Sequence, residues 1–145
     1  AIRRSLEVSM ETTSTAEPTI SLVHKDDRGE MYTINLPGDR ELMLLFSKKG
    51  SLRGGHSHDV PEAVMVLSGR MRYHKLVMPD FPAIATFSTL SDGDSSTNRA
   101  GEIHMGEFLE DTWLIEWKVG TTKSGWKNTN YEPWREKVRA NAVAG

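Results

Sequence analysis

The chain has 145 residues with 26% charged and 37% hydrophobic side chains, and its formal net charge is -2. This composition is typical of one globular domain, and the weak negative charge without basic clusters argues against a nucleic-acid partner. Because cysteine is absent, a metal site must use histidine and carboxylate ligands, and no apolar run reaches the roughly 20 residues of a membrane helix. We therefore expect a cytoplasmic protein with neither nucleic acid nor membrane as its partner.

The first 18 residues differ in composition from the rest of the chain. Residues 1–18 are rich in Ser, Thr and Glu and show no periodicity. This pattern predicts a flexible arm, or a strand exchanged with a neighbouring subunit. Residues 19–145 are predicted to form one domain.

Short apolar segments separated by turn residues follow from residue 19. They cover residues 20–23, 31–36, 42–46, 63–67, 71–77 and 113–119. Many short strands at this spacing predict an all-β sandwich or barrel. Residues 78–98 are predicted to form a long loop with one strand near residues 85–90, because Pro79 and Pro82 disfavour a continuous strand.

The C-terminal segment has helical rather than strand periodicity. Pro133 suits the first turn of a helix, and Trp134, Val138 and Ala142 follow at intervals of four residues. The sequence therefore predicts a short C-terminal helix that packs against the outside of the barrel.

A pair of histidines, His56 and His58, is the first candidate for chemistry. In an extended strand, residues i and i+2 point to the same side, about 7 Å apart. Glu62 follows after a turn and has the same strand parity. Imidazole together with carboxylate suits a divalent transition metal such as Fe, Mn, Ni, Co, Cu or Zn. The alternative is that both histidines are surface residues in a Gly-rich turn.

The wider pattern resembles the cupin superfamily. Gly50, His56, His58, Glu62 and Gly69 match its first motif at every specified position, and Gly93, Gly101 and His104 have the spacing of its second motif. The usual Pro of the second motif is Arg99 here, and the usual later Asn is Phe108. The resemblance covers residues 20–119 and implies a double-stranded β-helix, or jelly-roll barrel, with the short helix outside it. It also implies that His56, His58, Glu62 and His104 are metal ligands.

A narrower likeness leaves a second function open. Asp27-Arg28-Gly29 and the segment from Arg53 to His58 are similar to the sugar-nucleotide ketoisomerases of the cupin superfamily. In that group the histidine pair performs acid–base chemistry on a keto-sugar without metal, as an imidazole can near neutral pH. A metal-free 3,4-ketoisomerase is therefore one alternative, and a non-catalytic cupin that binds a small molecule is another.

The leading hypothesis is a metal-dependent enzyme of dioxygenase, isomerase or lyase type that acts on a small organic molecule. Three His and one Glu leave coordination positions open, which suits catalysis. His56, His58 and Arg53 are the candidate catalytic residues, with Arg53 clamping an anionic substrate unless it is a surface residue in a turn. We expect a homodimer, because cupins commonly pair through their sheets.

Several other residues receive a structural interpretation. His74 is a possible rival ligand, but it shares a basic face with its neighbours and is predicted to lie on the surface. Glu102 and Glu107, which flank His104, are predicted to be solvated. Trp113 and Trp117 are assigned to the core or to a dimer surface.

Overall fold

The structure is a computed structural model that describes residues 17–76, 85–120 and 128–144. These residues form eleven strands and one helix. In chain order they are β1 (Thr19–Asp26), β2 (Gly29–Leu36), β3 (Arg40–Ser47), β4 (Leu52–His58), β5 (Glu62–Ser68), β6 (Arg70–Leu76), β7 (Ala85–Ser91), β8 (Ser95–Asn98), β9 (Ile103–Phe108), β10 (Thr112–Lys118), β11 (Asn128–Asn130) and α1 (Glu132–Ala144).

The strands form two antiparallel sheets. The first has the order β1-β2-β3-β10-β5-β8, and the second has the order β11-β4-β9-β6-β7. Neighbours in both sheets are often distant in sequence, as where β10 lies between β3 and β5. The prediction of an all-β fold with a short C-terminal helix is confirmed.

The hydrophobic core lies between the two sheets. It consists of buried side chains from both inner faces, namely Leu45, Val64, Val66, Met71, Tyr73, Leu90, Phe108 and Leu114. On β6, Met71 and Tyr73 point inward because they alternate with Arg72 and His74 on the outer face. Burial of these side chains supplies the main driving force for closing the sheets on each other.

A second apolar cluster fixes the helix to the outer face of the second sheet. Trp134 and Val138 of α1 pack with Leu76, Ile103 and Met105. The two helical residues are four apart and therefore share one face. The predicted position of the helix outside the barrel is thus confirmed. Within the described residues, no helix combines the length and the apolar character that crossing a membrane requires.

Strand β10 corrects the interpretation of its tryptophans. Trp113 is 37% exposed and packs against Phe46 of β3 with ring centroids 5.0 Å apart, so it covers the outside of the first sheet. Its neighbour Leu114 is in the core. Of the two assignments predicted for the tryptophans, the core is excluded for Trp113, and the dimer surface stays a prediction. The inner face belongs to the alternate residues Leu114 and Glu116.

Two short polar strands, β8 and β11, were not predicted, whereas β7 confirms the strand expected near residues 85–90. The predicted arm over residues 1–18 lies outside the described residues, apart from positions 17 and 18. The rest of the predicted loop before β7, residues 77–84, also lies outside them.

Candidate metal centre

The strand that carries two of the candidate ligands, β4, contains a β-bulge. The register of β4 against β9 shifts between Gly54 and His56, so Gly55 is the extra residue. Residues three apart point to opposite faces of a regular strand, but an extra residue reverses the alternation beyond it. Arg53 before the bulge and His56 after it therefore line the same interior cavity.

The two glycines at the bulge are required by close contacts. Both have positive φ, +100° at Gly54 and +83° at Gly55, which side chains other than glycine rarely adopt. A Cβ on Gly54 would lie 2.8 Å from the carbonyl oxygen of His104, and one on Gly55 would lie 1.9 Å from Cγ of Arg135. The absence of side chains thus lets β9 and the helix approach the strand that carries the histidines.

Three histidine rings meet inside the barrel. The ring centroids of His56 lie 4.7 Å from His58 and 5.0 Å from His104, and those of His58 and His104 lie 5.1 Å apart. One ring nitrogen from each residue lies within 4.8 Å of the other two. Nitrogen ligands about 2.1 Å from a common metal ion lie up to about 4.2 Å apart, so this spacing is close to that of a metal site. His104 is 46 or more positions away from the other two histidines in the chain.

Glu62, at the start of β5, completes the cluster from the opposite sheet. Its carboxylate oxygens lie 3.2 Å from Nε2 of His58 and 3.3 Å from Nε2 of His104, and Lys118 of β10 contacts the same carboxylate. Burial tends to raise the pKa of Glu62, but the imidazoles of His104 and His58 and the ammonium of Lys118 outweigh it. The pKa therefore lies well below its usual range, and the carboxylate is ionised.

The hydrogen bonding of His104 is compatible with a bound cation. Its Nδ1 lies 3.1 Å from the carbonyl oxygen of Glu102, which can only accept a hydrogen bond, so Nδ1 is the donor. In the neutral ring the lone pair then lies on Nε2, which is buried, has no well-aligned hydrogen-bond partner among the described residues and lies 3.3 Å from a carboxylate oxygen of Glu62. A lone pair beside a carboxylate is favourable when a cation lies between them, and fixing of the other ring nitrogen in this way is typical of metal-binding histidines.

His56 is also suited to be a ligand. Burial, together with the charges of His104 and His58, lowers the pKa of His56 to about 3. Its ring is therefore neutral at physiological pH, as metal binding requires.

A cavity of about 330 Å³ adjoins the cluster. His56, His104, Arg53, Tyr73 and Glu116 contribute to its walls. This size falls within the range of small-molecule sites. The histidine cluster therefore borders a space in which a small ligand fits.

Arg53 is buried in β4 rather than exposed in a turn, with 9% of its surface accessible. Its Nε donates a hydrogen bond to Oγ of Ser47 at 2.7 Å, and its Nη2 donates to the carbonyl oxygen of Phe46 at 3.2 Å. These bonds hold a guanidinium at the cavity wall, where its charge can pair with an anion.

Glu116 is a cavity residue that the sequence interpretation missed. Burial raises its pKa to about 8, with a further contribution from the negative charge of Glu62. Glu116 therefore carries a proton at neutral pH, unlike Glu62. The alternation of β10 places it on the face of Leu114.

Three predictions about residues near His104 are settled by contacts. Glu107 is 8% exposed, and its Oε1 lies 3.1 Å from Nε2 of His74. The side chain of Glu102 is 14% exposed and lies 3.6 Å from Nζ of Lys75. The prediction that both glutamates are solvated is wrong. His74 lies on the outer face, as predicted, although its side chain is only 16% exposed.

Comparisons with known proteins identify the fold. No protein-family model matches the sequence, and no curated protein matches it at a significant level. Solved structures do match: the capsular polysaccharide assembling protein CapF from Staphylococcus aureus superposes on 82% of the chain with a TM-score of 0.62 and 21% identity. Oxalate decarboxylase from Bacillus subtilis covers 89% with a TM-score of 0.64 and 17% identity. The chain has the cupin fold.

The cupin resemblance of the two sequence motifs is thus confirmed at the level of the fold. The chain spans only about a third of each of these proteins, 33% of CapF and 37% of oxalate decarboxylase. A third structural neighbour is of similar size to this chain. Drosophila melanogaster CENP-C bound to CAL1 is covered over 97% of its length, with a TM-score of 0.55 and 15% identity.

Proposed function

We propose that this cupin is a metal-dependent enzyme that acts on a small organic anion, with one divalent transition-metal ion held by His56, His58, His104 and Glu62. The observation that carries the proposal is the convergence of three imidazole nitrogens within 4.8 Å of one another at the wall of a cavity. A bound ion would polarise an oxygen of the substrate and stabilise negative charge that develops on it.

The positive charge of Arg53 supports an anionic substrate. The guanidinium is anchored by Ser47 and Phe46 and lines the same cavity as two of the histidines. A carboxylate bound there would accept charge-assisted hydrogen bonds, which are stronger than neutral ones. Arg53 would therefore orient the substrate relative to the metal.

The protonated carboxyl of Glu116 would be the proton carrier of the site. It lines the cavity, and its pKa of about 8 is close to the operating pH at which general acid–base catalysis works best. This role suits an isomerase or lyase reaction, in which a proton moves to or from the substrate.

The contacts of Glu62 favour this function over the metal-free ketoisomerase. A carboxylate that lies within 3.3 Å of two imidazole nitrogens completes a ligand set, which acid–base chemistry by His56 and His58 alone would not require. A depressed pKa also makes His56 a weak proton carrier near neutral pH.

A non-catalytic binding domain is the second candidate. It is favoured by the likeness to CENP-C, which the chain covers almost entirely and whose structure was determined with a bound protein. Metal content separates the two candidates, because a binding domain of this kind does not need a metal ion.

The decisive experiment is elemental analysis of the protein purified without a His tag. We expect one transition-metal ion per chain in the wild type and none in the double variant His56→Ala/His58→Ala. The matched control is His24→Ala/His74→Ala, which removes two histidines outside the cluster and should keep the metal. Circular dichroism checks that each variant retains its strands. Stoichiometric metal in the first double variant, or its absence from the wild type, would contradict the proposal.

A thermal-shift screen of small mono- and dicarboxylates on the metal-loaded protein tests the substrate class. A carboxylate that raises the melting temperature of the wild type should lose its effect in Arg53→Gln, because the anchoring charge is gone. An unchanged shift in that variant would exclude Arg53 as the anion clamp.

A further inference from the structure

A second and larger groove, of about 890 Å³, lies on the outer face of the second sheet. Leu52 and Met105 form part of its floor, and Arg135 and Arg139 of α1 form one wall. Arg28, from the turn between β1 and β2, forms another part of the lining. We call this space the arginine groove.

The arginine groove carries an excess of positive charge. Among the described residues its lining contains five cationic side chains, Arg28, Lys49, Arg72, Arg135 and Arg139, and two acidic ones, Asp26 and Glu107. The excess of three positive charges contrasts with the net charge of -2 of the whole chain. A concave surface lined by one sign of charge attracts ligands of the opposite sign.

Each arginine of the groove has a carboxylate partner in the chain. Arg28 pairs with Asp26, and Arg72 pairs with Glu107. Arg135 pairs with Glu132, and Arg139 pairs with Glu136, but these two glutamates are more than 60% exposed. Such exposed pairs are weak and can exchange for a ligand. The Nε atoms of Arg72 and Arg135 are buried and have no hydrogen-bond partner among the described residues, so each could donate a hydrogen bond to a bound anion.

The arginine groove meets the cavity of the metal centre. Arg28, Gly54, Phe108 and Arg135 line both spaces. The junction therefore lies along the edge of β4 at Gly54, with one guanidinium from the β1–β2 turn and one from the helix. Arg135 reaches this position because Gly55 has no Cβ, which would collide with its Cγ.

We propose that the arginine groove binds a phosphoryl group, and that this group is the tail of the substrate whose other end reaches the metal centre. Guanidinium groups match phosphate oxygens in charge and in bidentate geometry, and a phosphate monoester carries close to two negative charges at neutral pH. The assignment of the phosphoryl group to the substrate rests on the proposed function, whereas phosphoryl binding by the groove does not.

Isothermal titration calorimetry with inorganic pyrophosphate tests the groove. We expect saturable binding to the wild type, at least tenfold weaker binding to Arg135→Gln/Arg139→Gln and unchanged binding to Lys137→Gln, which removes a charge from the same helix outside the groove. The single variant Arg139→Gln, on the exposed surface of α1, should weaken binding about threefold and serves if the double variant does not fold. Absence of saturable binding, or equal affinity in all variants, would overturn the proposal.

The variant His56→Ala/His58→Ala separates the groove from the metal centre. Pyrophosphate should bind to it as to the wild type, because the groove residues are intact. If the variant keeps metal but loses no pyrophosphate affinity, the proposed metal ligands are wrong and the groove stands. If it loses pyrophosphate affinity, the anion was bound at the metal centre and the groove assignment fails.

The attachment of the phosphoryl group to the substrate is tested with gluconate, 6-phosphogluconate and inorganic phosphate. A compound that carries a carboxylate at one end and a phosphate at the other should bind the metal-loaded wild type at least tenfold more tightly than either single-ended compound. This gain should disappear in His56→Ala/His58→Ala and in Arg135→Gln/Arg139→Gln. Equal affinity for phosphate and 6-phosphogluconate would overturn the assignment to the substrate.

Discussion

The two faces of the second sheet use the same residue types with opposite results. On the inner face, His104 lies 3.3 Å from the carboxylate of Glu62, and two further imidazoles join them. On the outer face, Nε2 of His74 lies 3.1 Å from Oε1 of Glu107, and the same oxygen lies 3.3 Å from Nη1 of Arg72. The outer carboxylate thus pairs with a guanidinium and a single imidazole, whereas the inner carboxylate, which also contacts Lys118, lies beside two imidazoles of the three-histidine cluster.

The difference arises from curvature and strand parity. His74 and Lys75 are adjacent on β6, and only Lys75 pairs with His104 of β9, so His74 lies on the opposite side of the sheet. The inner faces of two sheets converge, which brings residues from β4, β5 and β9 together, while the outer face diverges. The three imidazoles and the carboxylate of Glu62 meet inside the barrel.

The largest expected effect comes from removing the charge of each carboxylate in turn. Glu62→Gln should weaken metal binding at least about 100-fold, because it replaces a charged ligand by a neutral one. Loss of a residue that only hydrogen-bonds to a ligand already lowers metal affinity about 10–100-fold. Glu107→Gln, the matched change on the outer face, should leave metal affinity unchanged. Competition with a chromogenic chelator measures both values. Similar losses in the two variants would mean that the two faces are not distinguished by ligation.

A second prediction contrasts the two carboxyl groups inside the barrel, Glu62 and Glu116, whose pKa values shift in opposite directions. In the unfolded chain Glu116 ionises near pH 4.5, but in the folded chain it keeps its proton up to about pH 8. The folded state therefore binds more protons between these values, and the free energy of unfolding should fall as pH rises from 5 to 8 and then level off.

Glu116→Gln should flatten this decline, which amounts to about 4 kcal/mol between pH 5 and pH 8 at about 1.4 kcal/mol per pH unit. The measurement is urea unfolding of the metal-depleted protein at several pH values. An equal slope in the wild type and the variant would show that Glu116 ionises normally. Bound metal should end the decline at a lower pH. Its positive charge offsets the negative charge of Glu62, which otherwise helps to raise the pKa of Glu116.

The smallest effect is expected from His74→Ala. The outer ion-pair cluster loses one hydrogen bond to Glu107, but Arg72 still contacts that carboxylate. The free energy of unfolding should fall by about 0.5–1.5 kcal/mol, with full retention of metal. Loss of metal in this variant would instead show that the outer cluster positions the inner histidines.

The strands that could be predicted are those with an apolar face. On β6 the alternation of Met71 and Tyr73 with polar neighbours indicates a half-buried strand. In contrast, β8 consists of Ser-Ser-Thr-Asn and β11 of Asn-Thr-Asn. Backbone pairing of β8 with β5 and of β11 with β4 forms these strands, and no local hydrophobic pattern predicts them.

The fold class, the C-terminal helix and the candidate ligands could be predicted from the amino-acid sequence, because alternation and the spacing of His56, His58 and Glu62 are local properties of the chain. The position of Arg53 at the same cavity as His56 could not be predicted, since the bulge at Gly55 depends on pairing with β9. Likewise, the burial of Glu116 and the joining of the arginine groove to the cavity depend on which strands and helix become neighbours. Long-range packing sets those contacts, and no local pattern encodes them.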